Sequence, residues 1–278
     1  MRDSYINAMN VQKNSIYWMN AVSENLMNAY TPGYRENQVS FKTYLDSSVL
    51  DKVQKSFTQG KAIPGTSDAN VFLAGKGYFA IRNEEGRLAY TRYGDFRFDK
   101  EGVYKASDGS IVQGYILNDK GEIMSGTKSL DSSSFQKIIE ENGANAVPTT
   151  EIKLWIDPDN GKYLGKYEEY EIKEDGVLYG KANNGKKMTP LYKIALANFH
   201  NPQELFEYKD GQFLETRESG KPVAGRGEIR SGLIELSNID FKANATYWQQ
   251  AKNQIEVSSK IFSTYDSLLD TLLQNLLK

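Results

Sequence analysis

Residues 180–187, Gly-Lys-Ala-Asn-Asn-Gly-Lys-Lys, follow the spacing of a phosphate-binding loop up to its last position. There Lys187 stands where a Ser or Thr hydroxyl would hold magnesium. Such a loop must also open a helix, whereas residues 188–199 alternate like a strand, so the spacing predicts a hairpin turn at Asn184-Gly185. Asp157, Asp159 and Glu168 fall at positions one, three and twelve of a calcium-loop spacing, but Gly161 takes the fifth position and Lys162 the sixth, where a ligand and a glycine are required. That pattern reads as a surface turn. Gly75-Lys76-Gly77 with Ala80 imitates a dinucleotide fingerprint, yet β-type alternation follows it instead of a helix. His200 is the sole histidine and there is no cysteine, so no zinc site of common type can form, and nothing sets a Ser or Asp beside the imidazole. No cofactor and no catalysis are expected.

The bulk composition bounds the remaining classes. The chain has 278 residues, a net charge of −2 and 25% charged residues, which gives no broad basic face for nucleic acid. No apolar run approaches the ~18 residues of a membrane span. Its first twenty residues are polar, and no cleaved secretory signal is expected. The 18 tyrosines suit half-buried sheet faces.

The elements most sharply written are the two ends. Phe241, Trp248, Ile255, Phe262, Leu269 and Leu276 recur at heptad spacing, and Asn244, Ala251, Ser258, Tyr265 and Leu272 form a second column three residues behind. Ser237-Asn238-Ile239-Asp240 has the form of a capping box at the start of this helix. Residues 3–28 read as a second helix, with Tyr5, Met9, Gln12, Ile16, Met19, Ser23 and Leu26 alternating at four and three before Pro32-Gly33. Two heptad-like ends can zip together. A single narrow seam is unable to offset the cost of ordering a helix as long as the C-terminal one, which points to partners in an assembly.

Between the ends the pattern turns to short strands. Leu88 and Tyr90, Phe96 and Phe98, Ile152 and Leu154, and Tyr192, Ile194 and Leu196 alternate at period two, separated by turns such as Asp108-Gly109 and Asp175-Gly176. Phe41 to Leu45 fits helix and strand equally. The Ser-rich stretch 129–134 and the residues to Gly143 break the rhythm and could mark residues 136–190 as an insert.

Several segments, taken in order, resemble the axial proteins of the bacterial flagellum, its rod and hook subunits. Asn25-Leu26-Met27-Asn28 with Thr31-Pro32-Gly33-Tyr34 is similar to that family's Asn-Leu-Ala-Asn signature and its follow-on. Gln59-Gly60, Gly75-Lys76-Gly77-Tyr78-Phe79 and Tyr90-Thr91-Arg92-Tyr93-Gly94-Asp95-Phe96 match further stretches, as does 198–202. Gly232 to Asp240, ending Leu236-Ser237-Asn238-Ile239-Asp240, is the closest match. Glu24 and Met27 depart from the usual residues.

The resemblance implies an α+β chain in which long N- and C-terminal helices pair as a coiled-coil-like unit around a central antiparallel all-β domain. The expected divisions are 1–33 for the N-terminal axial helix, 34–68 for a transition, 69–135 with 191–232 for the outer β domain, 136–190 for the insert and 233–278 for the C-terminal helix. It implies a torque-transmitting tube in the periplasmic basal body, reached through the flagellar type III export apparatus. Expected partners are copies of the chain, other rod and hook proteins and the bushing rings. The assembly positions expected are Ile16, Met19, Asn25, Leu26, Asn28, Phe241, Trp248, Ile255, Phe262 and Leu269. Rivals are a hook-type subunit, and a ligand-binding β module on a helical stalk that uses Tyr163, Tyr167, Tyr170 and Tyr179 as an aromatic platform.

Overall fold

The computed structural model describes residues 2–44, 47–154, 167–182, 188–209 and 211–276. Among these lie three α-helices, α1 (Arg2–Met27), α2 (Ser132–Asn142) and α3 (Phe241–Leu276), and strands that pair antiparallel throughout. The chain divides into two units. Met1–Tyr30, Arg35–Phe57 and Asn238–Lys278 form the first, and Thr31–Tyr34 with Thr58–Ser237 form the second.

In the first unit α1 and α3 lie antiparallel. Tyr5, near the start of α1, packs its ring 5.2 Å from Phe262 and 4.9 Å from Tyr265, while Asn25, near its end, meets Asn244 in the first turn of α3. The buried face of α1 carries Ala8, Ser15 and Val22, and that of α3 carries Asn244, Ala251 and Ser258, both at heptad spacing. On α1 these positions stand one residue before the expected Met9, Ile16 and Ser23. Small residues on both faces let the axes approach, and on α1 the larger Met9 and Ile16 turn outward. α3 begins later than its sequence suggests. The Asp240 carboxylate accepts from the Ala243 N–H at 3.0 Å, so Asp240, three residues after Ser237, caps the helix.

Phe41 to Tyr44, which fit helix and strand equally in sequence, lie in β1 (Asn37–Tyr44), paired antiparallel with β2 (Ser47–Lys55) so that Val39 stands opposite Val53. This strand pair belongs to the helical unit.

The second unit is built on one large sheet. Strand Tyr78–Arg82 pairs with Leu88–Thr91 on one side and with Ile111–Ile116 on the other. Beyond Ile111–Ile116 the order continues through Thr189–Ile194 and Val177–Ala182 to Tyr167–Ile172. The last two strands fall within the stretch 136–190 and are hydrogen-bonded into the same sheet. Leu73, Phe79, Phe96, Tyr104, Val112 and Ile229 are fully buried in its core. The break in alternation after Ser129 is α2, capped by Asp131, whose side chain accepts from the Ser134 N–H at 2.9 Å. Phe135 and Ile139, four residues apart, bury one face of this helix.

Three turns repeat one device: the side-chain oxygens of Asn83, Asp99 and Asn118 each accept backbone N–H groups two and four residues on. These local bonds satisfy turn donors that no strand partner reaches.

Candidate assembly interface

The helical unit has a polar knot where α1 ends, β1 begins and α3 starts. Asn25, 1% exposed, receives the Asn37 N–H at 2.8 Å and returns its amide to the Asn37 carbonyl at 2.9 Å, so its side chain pairs with residue 37 as a neighbouring strand would. The same amide donates to Oδ1 of Asn244 at 2.9 Å. Asn244 in turn donates to the Glu36 carboxylate at 2.6 Å and to the Asp240 carbonyl at 3.0 Å. Asn238 accepts from the Glu36 N–H at 2.8 Å and donates to the Ser56 carbonyl at 2.9 Å, which ties in the end of β2. Every side-chain donor and acceptor of Asn25 and Asn244 has a partner, so burying them carries no desolvation penalty for an orphaned group. Asn28 closes α1 by donating to the Glu24 carbonyl at 2.9 Å.

Along the helices the contacts are small or polar. Ser15 donates to Gln254 at 2.8 Å, Gln12 to Ser259 at 3.2 Å, and Trp248 Nε1 to Ser23 Oγ at 3.1 Å. Of the expected assembly positions, Asn25 is brought into the knot, Trp248 and Phe262 touch α1, and Met19, Leu26 and Ile255 are half-buried. Ile16, Phe241 and Leu269 stay on the surface at 41%, 53% and 43% exposure. Sequence reasoning missed Glu36 and Asn37; the available signal was a buried-column Asn at 244 needing polar company.

The β unit holds a second knot. Arg92, with Glu235, is buried, and Nε and Nη2 both lie 3.0 Å from Glu235 Oε2. Nη1 donates to the carbonyls of Gly75 and Gly77 at 2.8 Å, and Nη2 to that of Leu73 at 3.0 Å. Glu235 Oε1 accepts from the Gly60 N–H at 2.8 Å, and the Gln59 side chain donates to the Leu73 carbonyl at 2.8 Å and accepts from the Gly75 N–H at 3.1 Å. Stretches that looked separate in sequence, at 59–60 and 75–77, thus meet on the ion pair of Arg92 and Glu235. The Glu235 carbonyl also accepts from the Gly33 N–H at 2.8 Å.

Neither knot is a reaction centre. Arg92 and Glu235 spend their hydrogen bonds on each other and on backbone. Burial pushes the Tyr90 hydroxyl up to about 12 and that of Tyr104 well above its usual value, which leaves both as neutral core residues. Tyr104 donates to the Ala69 carbonyl. His200 is exposed at a bend. Gly180 pairs with Thr189 of the neighbouring antiparallel strand, so a strand follows where a phosphate loop would need a helix; residues 183–187 lie outside the described residues. Asp157, Asp159 and Tyr163 also lie outside them. Tyr170 stands opposite Gly180 and Tyr179 opposite Glu171, so the two tyrosines occupy opposite faces of the sheet and form no common platform. Among the described residues no cluster of His, Cys, Asp and Glu could hold a metal, and no helix is long and apolar enough to cross a membrane.

Residues 72–180 match the "flagellar hook protein FlgE/F/G D1 domain" family. A flagellar hook protein FlgE of Rhizobium meliloti is 25% identical over 395 aligned positions, covering 96% of each chain. The flagellar basal-body rod protein FlgG of Caulobacter vibrioides is 24% identical over 284 positions, covering 91% of each. Family model and relatives alike are hook and rod proteins, and the chain is similar to this flagellar axial family. Within this family a hook protein of Borreliella burgdorferi reaches 32% identity over 183 residues, 62% of this chain and 37% of its own length. These relatives are hook and rod proteins, not enzymes.

Proposed function

We propose that this axial protein is a rod-type subunit of the flagellar basal body, which polymerises helically through its terminal helices into a torque-transmitting tube. What supports the rod assignment is collinearity. The rod relatives of Caulobacter and of Buchnera aphidicola (strain APS) align over 284 and 286 positions with at least 91% of both chains covered. The Rhizobium hook relative needs 395 positions against a chain of 278 residues, so it carries segments with no counterpart here. In this reading α1 and α3 pair as a coiled-coil-like unit lining the tube, and the β unit faces outward. The assembly positions are Ile16, Met19, Asn25, Leu26, Asn28, Phe241, Trp248, Ile255, Phe262 and Leu269. Partners are copies of itself, neighbouring rod and hook proteins and the bushing rings, and delivery runs through the flagellar type III apparatus.

Cryo-electron tomography of basal bodies from a deletion strain tests the position. A rod-type subunit leaves a truncated rod and no hook. A complete rod missing only its hook would assign the chain to the hook instead. Removing residues 241–278 should leave a soluble β unit without tubes, and tubes formed by the truncated chain would refute assembly through the ends.

A further inference from the structure

The side of α3 that covers α1 runs on past it. Tyr5 already sits against Phe262 and Tyr265, α1 starts at Arg2, and α3 continues to Leu276. On this overhang Leu268, Leu269, Leu272 and Leu273 are all more than two-fifths exposed. Residues 269, 272 and 273 continue the line of 244, 251 and 258, so the bare leucines extend a face built to receive a helix. The exposed carboxylates of Asp266 and Asp270 border the same stripe.

A matching stripe exists on the outer face of α1, turned away from α3. Ile6, Met9, Ile16 and Tyr17 are exposed there, with the exposed Lys13 in their midst and its ammonium 6.0 Å from the Tyr17 ring. From Ile6 to Ile16, and likewise from residue 266 to residue 276, the helix rises about 15 Å at 1.5 Å per residue.

We propose that the leucine overhang of α3 in one copy packs on the Ile6-Met9-Ile16 stripe of α1 in a second copy, with Asp266 and Asp270 facing Lys13. Charge decides against the simpler alternative. Pairing two overhangs with each other would bring four carboxylates together, whereas overhang on α1 sets opposite signs against each other. The contact is heterologous, since donor and acceptor surfaces differ, and so it propagates instead of closing as a dimer. It rests on the proposal of assembly through the terminal helices and names the surfaces that would do it.

The test uses full-length chain and charge reversal, with critical concentration for polymer read by sedimentation and electron microscopy. Lys13→Asp alone, and Asp266→Lys with Asp270→Lys, should each raise it about tenfold, equivalent to ~1.4 kcal/mol. An equimolar mixture of the two variants should assemble like wild type, because each overhang then meets an opposite charge only on the other variant. Variants that polymerise as readily as wild type, or a mixture that fails to recover, would overturn the contact while leaving end-mediated assembly standing. Wild-type chain that forms no polymer at any concentration would remove both.

Discussion

Arg92 and Glu235 stand 143 residues apart in the chain and 3.0 Å apart in the fold, both buried. Glu235 closes the strand Leu233–Glu235 just before the chain returns to the helical unit. Arg92→Met would strand a buried carboxylate and release three carbonyls, so it should cost about 3–5 kcal/mol in urea unfolding of the full chain. Glu235→Gln should cost less, because an amide oxygen still accepts from Gly60. The double variant Arg92→Met/Glu235→Leu should lose less than the sum of Arg92→Met and Glu235→Leu taken singly, since neither charge is left alone. Strict additivity would mean the pair is not energetically coupled.

The buried Asn25 side chain makes three hydrogen bonds, two to the Asn37 backbone and one to Asn244. Asn25→Leu fits the helix but orphans the backbone of Asn37 and the Asn244 oxygen, at about 1–3 kcal/mol for each group left unpaired. Hydrogen exchange read by mass spectrometry should show faster exchange in residues 25–37 and 238–251, with the sheet around Phe79 unchanged. Uniform protection across both regions would contradict this account of the knot.

Much of this was legible in sequence, and each failure has its own physical reason. Heptads at both ends and the turn residues announced helices around an antiparallel body. On α3 the second heptad column, with Asn244, Ala251 and Ser258, is the buried one; on α1 the buried face was not legible, because periodicity weighs large apolar residues, while the packed face there is Ala8, Ser15 and Val22. Size favours a residue for burial; close approach of two axes selects small ones. α2 escaped because its opening residues, Ser132 to Ser134, are poor helix formers and it is held by the Asp131 cap and by burial of Phe135 and Ile139. The Arg92–Glu235 pair had no local signature among 34 basic and 36 acidic residues.

Gly94 and Gly60 should be irreplaceable for steric reasons. A Cβ on Gly94 would lie 1.7 Å from the Val71 carbonyl oxygen, and one on Gly60 1.8 Å from that of Leu236. Both obstacles are backbone, so neither can swing aside as a side-chain tip would. Gly94→Ala and Gly60→Ala should each cost about 3 kcal/mol. Gly86→Ala, in an open turn with nothing within 4 Å of the added carbon, has only its φ of +77° to contend with and should cost about 1 kcal/mol. Equal urea midpoints for all three variants would refute the distinction.

Acid should loosen α2 through its cap. The Ser134 hydroxyl, then the Ser134 backbone N–H and the Ser133 hydroxyl, hold the Asp131 carboxyl below its ordinary value by favouring the charged form. A depressed native value means that the folded state binds this proton less readily than the unfolded chain. The contribution is therefore complete above the unfolded aspartate range near pH ~3.9, and it is lost as pH falls through the lower native value. Amide exchange in residues 132–142 should accelerate in that acid window in wild type. In Asp131→Asn, whose amide oxygen still caps but does not titrate, the cap's share of that acceleration should vanish. If the variant and wild type loosen alike as the pH drops, the carboxylate is not what the acid acts upon.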